Sequence, residues 1–171
     1  AGDYDAVVSL QNGLTEERLV AGLDAFVLAG TATYGARLRE PGRVECTGVG
    51  EVLIGSLAGG PNRTATRTAE AFAEAGIAAR AVEDMPRRRF EKLAVNAGIN
   101  APTALADLDN GALVDGPGRS VAAEAAREVA RVARAEGGAV ADEDAVAALE
   151  EVADATAANH SSMRQDLTAE R

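Results

Sequence analysis

Every cation in this 171-residue chain is an arginine except Lys92, which stands in the run Arg89-Phe90-Glu91-Lys92-Leu93-Ala94-Val95-Asn96-Ala97-Gly98-Ile99-Asn100. The two residue types differ in chemistry. Burial moves the pKa of an ammonium and lets it give up a proton, whereas a guanidinium stays charged. A lone lysine in an arginine chain is therefore a candidate proton donor. On a helix, Lys92, Asn96 and Asn100 fall at i, i+4 and i+8 and share one face, an ammonium in line with two amides. Asparagine is a poor residue inside a helix because its amide competes for backbone hydrogen bonds, so two of them on a lysine's face need a reason. One reason is a solvated face with an ordinary surface lysine. The other is a ligand, and it is preferred: Leu93, Val95 and Ile99 make the segment otherwise apolar, and buried polar groups require partners. Pro102 disfavours helical backbone at Ala101 and is expected to end or kink the helix just after Asn100.

The elements that must position this face are legible as a change of pattern along the chain. Asp5 to Leu10 is a short apolar run ended by Gln11-Asn12-Gly13, a buried strand followed by a tight turn. Thr15 then opens a short helix with Glu16 and Glu17 in its first turn, where the macrodipole favours carboxylates. Ligands of such strand-turn-helix units bind beyond the carboxyl ends of the strands, which is where Asn12 stands; Asn-Gly is also a common turn dipeptide. Phe26 to Ala36, Val44 to Cys46 and Val52 to Leu57 read as three strands of a meander. Gly48-Val49-Gly50 leads into a strand and lacks the third glycine of a dinucleotide fingerprint, so it reads as a turn. Thr64 to Ala75 is a helix with Ala69, Phe72 and Ala73 on one side and Gly76 as its stop, and Ile77 to Val82 is a last short strand.

Strand patterns stop near Asp84, a cap for the helix bearing Lys92, with Pro86 in its first turn. The domain boundary is placed there: 1–83 α/β, 84–171 all-helical. Beyond the Asp109-Asn110-Gly111 loop and the Gly116-Pro117-Gly118 break, Val121, Ala125, Val129 and Val132 mark an apolar stripe. Glu124 with Arg127 and Glu128 with Arg131 pair on the outer face. Asp142 is expected to cap the next helix, whose stripe is Val146, Leu149, Val152 and Thr156. Asn110 reads as a turn former and Ser161-Ser162 as a cap before a final helical run. His160, the lone histidine, is given no role.

The balance of 17 basic and 27 acidic residues gives a net charge of −10, which repels phosphate backbones and argues against nucleic-acid binding. The same composition resembles that of salt-adapted proteins, whose self-repulsion is screened at high ionic strength. A single cysteine, Cys46, gives neither a disulfide framework nor a thiolate metal site, and a cytoplasmic location is the simplest fit. No run reaches the length of a membrane span, and no leader peptide is evident. The opening Ala1-Gly2-Asp3 lacks methionine and heads directly into a strand, the look of a cut.

Glu91-Lys92-Leu93-Ala94-Val95-Asn96-Ala97-Gly98-Ile99-Asn100, followed by Pro102-Thr103-Ala104-Leu105, resembles the signature of the ketopantoate reductases (2-dehydropantoate 2-reductases). Ala101 departs from it, since the family usually has proline directly after the second asparagine. Gln11-Asn12-Gly13-Leu14, Gly30 to Ala36, the Asn110-Gly111 pair and Ser161-Ser162-Met163-Arg164-Gln165-Asp166 resemble further family segments. The resemblance implies the later part of a Rossmann-type NAD(P)-binding domain followed by a helical domain like that of 6-phosphogluconate dehydrogenase. It implies NADPH-dependent reduction of 2-dehydropantoate to (R)-pantoate, in pantothenate and coenzyme A biosynthesis, by a homodimer. On that basis Lys92 is the general acid, and Asn96, Asn100, Asn110 and Ser162 bind substrate. Asn12 touches cofactor and substrate, and Ala36 lies near the nicotinamide. The family's glycine-rich pyrophosphate turn is expected before Ala1 and a further carboxylate just beyond Arg171. The alternatives are a reductase of another 2-oxo acid, or a non-catalytic helical assembly module.

Overall fold

The computed structural model describes residues 4–169; Ala1 to Asp3 and the last two residues lie outside the described residues. The chain divides into two compact units, Ala1–Arg89 and Phe90–Arg171. The first is α/β and the second is helical, the fold class implied by the resemblance.

In the first unit, β1 (Ala6–Ser9), β2 (Phe26–Ala32), β5 (Val52–Ser56) and β6 (Ala79–Ala81) form one sheet in the order β1-β2-β5-β6. β1 and β2 are parallel, as are β5 and β6, and β2 meets β5 antiparallel with Ala29 opposite Gly55. The near-continuous apolar sequence of β2 follows from burial on both faces of the sheet. Leu28 joins Val52, Ile54 and the Ala65 and Ala69 face of α2 (Arg63–Glu74), while the adjacent Ala29 joins Val82 and Met85. Gly55 is required by that second layer: a Cβ there would stand 2.6 Å from the Val82 carbonyl and 2.7 Å from Met85 Cβ.

Three sequence expectations change here. The single strand expected over Phe26 to Ala36 is two, since the chain leaves the sheet after Ala32 and starts again as β3 (Gly35–Glu40), which pairs with β4 (Arg43–Gly48). That hairpin is a second, two-stranded sheet and not part of a meander. Its turn is Pro41-Gly42, with Gly42 at φ 82, a conformation that glycine adopts without a Cβ clash. On α2, Ala73 is exposed and Ala65 takes the buried place expected of it. Glu16 stands in the first turn of α1 (Glu16–Gly22), as expected, and it is buried. Its side chain is 2% exposed and its Oε2 accepts from Arg89 Nη2 at 2.8 Å.

The second unit is built on α3 (Met85–Ala106), with α4 (Ala112–Asp115), α5 (Arg119–Ala135), α6 (Asp142–Ala155) and α7 (Ser162–Thr168). Asp84 directly precedes α3; its carbonyl accepts from Arg88 N and its carboxylate from Arg88 Nε. α3 does not end at Asn100: it continues through Pro102 to Ala106. Proline's missing N–H would have served the carbonyl of Gly98, and one lost bond near a helix end is outweighed by packing. The true stop is Asp107 at φ 53, with Leu108 N donating to the Thr103 carbonyl at 3.0 Å, a Schellman closure with aspartate in glycine's usual place.

The expected valine stripe of α5 is also displaced. The buried residues are Ala122, Ala123, Ala126, Ala130 and Ala133, while Val121 is 61% exposed. Alanines let helix axes approach, and the approach is visible at Gly98, where a Cβ would lie 2.8 Å from Leu149 Cδ1 and 2.9 Å from the Ala122 carbonyl. α6 buries Ala145, Leu149 and Ala153, and Val152 is exposed. Asp142 is the first residue of α6, not its cap, and its carboxylate accepts from Arg134 Nη1 at 2.7 Å. On α5 the partner of Arg131 is Glu124, at 2.7 Å.

Candidate active site

α3 carries Lys92, Asn96 and Asn100 at successive intervals of four residues, and all three are half-buried. The opposite side of the helix supplies the reason, because Phe90, Ala94 and Gly98 are buried and fix its rotation. Lys92 has its pKa pushed below the ordinary lysine value by burial, which disfavours the ammonium. An amine so placed gives up a proton more readily than one in water.

Asn110 lies in the turn after α3 and is 6% exposed. Its backbone N–H donates to the Asn159 carbonyl at 3.1 Å and its Nδ2 to Thr156 Oγ1 at 2.9 Å. The hydroxyl proton of Thr156 is directed to the Val152 carbonyl at 2.6 Å, so Thr156 can only accept from Asn110. That settles which end of the amide is which and leaves Asn110 Oδ1 buried with no hydrogen-bond partner among the described residues. An orphaned buried acceptor costs about 1–3 kcal/mol, and a ligand hydroxyl or amine would relieve it.

Ser162 is exposed at the first position of α7. The cap is its neighbour Ser161, 4% exposed, whose Oγ accepts from Arg164 N at 3.2 Å and lies 2.7 Å from Thr103 Oγ1. Thr103 is fully buried and its hydroxyl also reaches the Ile99 carbonyl at 2.7 Å. The two serines therefore divide the labour: Ser161 ties the start of α7 to the end of α3, and Ser162 is left with its hydroxyl in the open. The sequence reads Ser161 as part of a cap and Thr156 as part of the α6 stripe, but the contacts made by Thr103, Thr156, Ser161 and Arg164 are not legible in it; their partners lie 46 to 58 residues away, beyond any local spacing rule.

In the first unit, Asn12 is exposed in the turn after β1, next to Gly13 at φ 84. Ser9 and Thr15 brace that turn with hydroxyls 2.9 Å apart. Asn12 thus stands beyond a strand's carboxyl end, where ligands of open α/β sheets bind. Ala36 is exposed on β3, opposite Cys46. Lys92, Asn96, Asn100, Asn110 and Ser162 thus share the second unit, and Asn12 and Ala36 belong to the first. A groove of about 610 Å³ beside α5 and α6 holds none of these residues, and its arginines Arg119 and Arg127 are paired to Glu150 and Glu124. Among the described residues no cluster of side chains suits a metal ion, and no helix is long and apolar enough to cross a membrane.

Comparison with known proteins agrees with the signature. The family model described as ketopantoate reductase PanE/ApbA C terminal matches residues 84–171, and the model ketopantoate reductase PanE/ApbA matches residues 2–59. A 2-dehydropantoate 2-reductase of Halobacterium salinarum is 46% identical over 96% of this chain and 55% of its own length. One of Archaeoglobus fulgidus is 38% identical over the same shares. The crystal structure of a PanE/ApbA family ketopantoate reductase from Ralstonia eutropha superposes with a TM-score of 0.82 at 31% identity, covering 96% of this chain and 54% of that one. The chain thus spans about half the length of the curated relatives it matches. With a family model covering the whole helical unit, the chain belongs to the ketopantoate reductase family.

Proposed function

We propose that the protein to which this chain belongs reduces 2-dehydropantoate to pantoate with NADPH. The observation that carries the reading is the face of α3, where the chain's one lysine, its pKa lowered by burial, shares a side with two asparagines in a member of this family. When bound, NADPH supplies a hydride to the ketone carbon. Lys92 donates the proton to the ketone oxygen, and its charge stabilises the alkoxide as it develops. Asn96 and Asn100 orient the substrate's carboxylate and hydroxyl; Asn110 offers its unpaired carbonyl oxygen to the substrate hydroxyl, and Ser162 its own hydroxyl to the substrate. Asn12 contacts both nicotinamide and substrate, and Ala36 sits beside the nicotinamide. The division is a partial Rossmann-type domain over 1–83 and a substrate-binding and dimerisation domain over 84–171. A homodimer through the alanine-rich helices is supported by the outward Val121 and Val132 of α5, and sedimentation as single protomers would remove that assignment.

The test is Lys92→Ala in the complete polypeptide. Loss of a general acid lowers turnover by about two to four orders of magnitude with the fold intact. Near-normal turnover would remove Lys92 from the chemistry. A panel of simpler 2-oxo acids separates 2-dehydropantoate from its relatives: a higher kcat/KM on any of them would reassign the substrate.

A further inference from the structure

We propose that Arg164 is a positioning residue that locks the Asp107 to Asn110 turn against α7 and thereby aims the Asn110 carboxamide at the substrate. Resting on the function proposed above, the proposal concerns a residue outside the family signature's fixed letters. Arg164 Nε donates to Asp107 Oδ1 at 2.8 Å and Nη1 to Asp109 Oδ1 at 2.5 Å. The guanidinium side chain is only 14% exposed, whereas those of Asp107 and Asp109 are 85% and 53% exposed. A covered arginine holding two carboxylates in a fixed fork restrains geometry far better than a pair of mobile surface chains.

The two carboxylates bracket a turn with no regular hydrogen-bond ladder. Asp107 is the left-handed residue that closes α3, and Asp109 directly precedes Asn110. Asn110 is itself held through Asn159 and Thr156, and Gly111 N donates to the Ala157 carbonyl at 3.0 Å. Arg164 adds a second hold on the same turn through Asp107 and Asp109. It also stands two residues after Ser162, so one side chain couples the serine's helix to the asparagine's turn. A direct role as the anchor for the substrate carboxylate is disfavoured by charge. Arg164 with Asp107 and Asp109 sums to minus one, and His160 Nε2 adds only a 3.3 Å contact to Asp109.

The experiment compares Arg164→Met, Arg164→Lys, the double variant D107N/D109N and the triple combination, all in the complete polypeptide. Asparagine tolerates the left-handed backbone at 107, so the cap survives. KM for 2-dehydropantoate is expected to rise about tenfold in Arg164→Met, with kcat within a factor of about three and NADPH affinity unchanged. Arg164→Lys restores part of the loss. D107N/D109N matches Arg164→Met, and the triple variant is no worse than either, since residues acting through one contact are not additive. An unchanged KM, or losses that multiply, would overturn the proposal. If the wild-type protein does not turn over 2-dehydropantoate, the function reading fails by itself. Amide exchange then decides: faster exchange at Asn110 and Gly111 in Arg164→Met, with an unchanged melting temperature, supports the lock, and unchanged exchange refutes it.

Discussion

At the scale of single residues, Lys92 joins a structural cost to a proposed use. Burial holds its pKa below the ordinary value, so between the folded and unfolded values the folded chain binds fewer protons than the unfolded one. Below the folded value the penalty on stability is complete; as pH rises toward the unfolded value it disappears. Lys92→Met is therefore expected to raise the melting temperature at neutral pH, with the gain shrinking in alkaline buffer. A proton donor must be protonated, so kcat/KM should fall on the alkaline side with a midpoint below the usual lysine range. A flat profile through that region, or a Lys92→Met variant less stable than wild type at pH 7, would contradict the assignment. The sequence made Lys92 visible because its residue type is unique in the chain. Asn110 was harder to weigh, since Asn-Gly is a turn dipeptide on any grounds, and only Thr156, 46 residues away, shows that its carbonyl oxygen is left over.

At the scale of elements, α3 was legible in its start and its polar face but not in its end. Local rules about the residue before proline predict a stop at Asn100, yet the helix continues because Ala101, Pro102 and Thr103 are covered or half-covered and Thr103 fastens the last turn to Ser161. The same limit misplaced the stripe of α5. Hydropathy favours valine over alanine, whereas close helix packing favours the smaller residue, and Ala122, Ala126 and Ala130 are fully buried. The hairpin of β3 and β4 was partly merged into β2 because Thr31, Thr33 and Gly35 continue an alternating pattern across the break at Thr33 and Tyr34. Gly98 tests the packing account. Glycine to alanine inside a helix normally gains about 1 kcal/mol of propensity. Here the added methyl meets Leu149 and the Ala122 carbonyl inside 3 Å, and overpacking of this kind costs about 1–3 kcal/mol. Because the carbonyl cannot rotate away as the leucine can, Gly98→Ala is expected to lower stability on balance, read as a shift in the denaturation midpoint. Gly98→Ala together with Leu149→Ala should recover only part of it. A stabilised Gly98→Ala would mean that α3 and α5 are free to separate.

At the scale of the molecule, the dominant quantity is charge. A net −10 is carried by a chain with one lysine, and ion pairs such as Arg80 with Glu51 and Arg119 with Glu150 lie at its surface. Such pairs contribute about 0–1 kcal/mol each and weaken with salt, while the surplus of carboxylates repels itself at all low ionic strengths. The two effects of salt oppose each other. Screening removes local attraction at contact distance only partly, but it removes the longer-range repulsion almost wholly once the Debye length falls from about 10 Å at 0.1 M to about 3 Å at 1 M. Repulsion among distant carboxylates therefore loses more than the pairs do. The melting temperature of the 171-residue chain should rise as sodium chloride is raised from 0.1 M to 1 M at pH 7. Lowering the pH toward the carboxylate range at 0.1 M should reproduce part of the rise before acid unfolding sets in. A melting temperature that falls over the same salt range would show that the surface pairs, and not the excess charge, govern stability, and would remove the reading of the composition as an adaptation to salt.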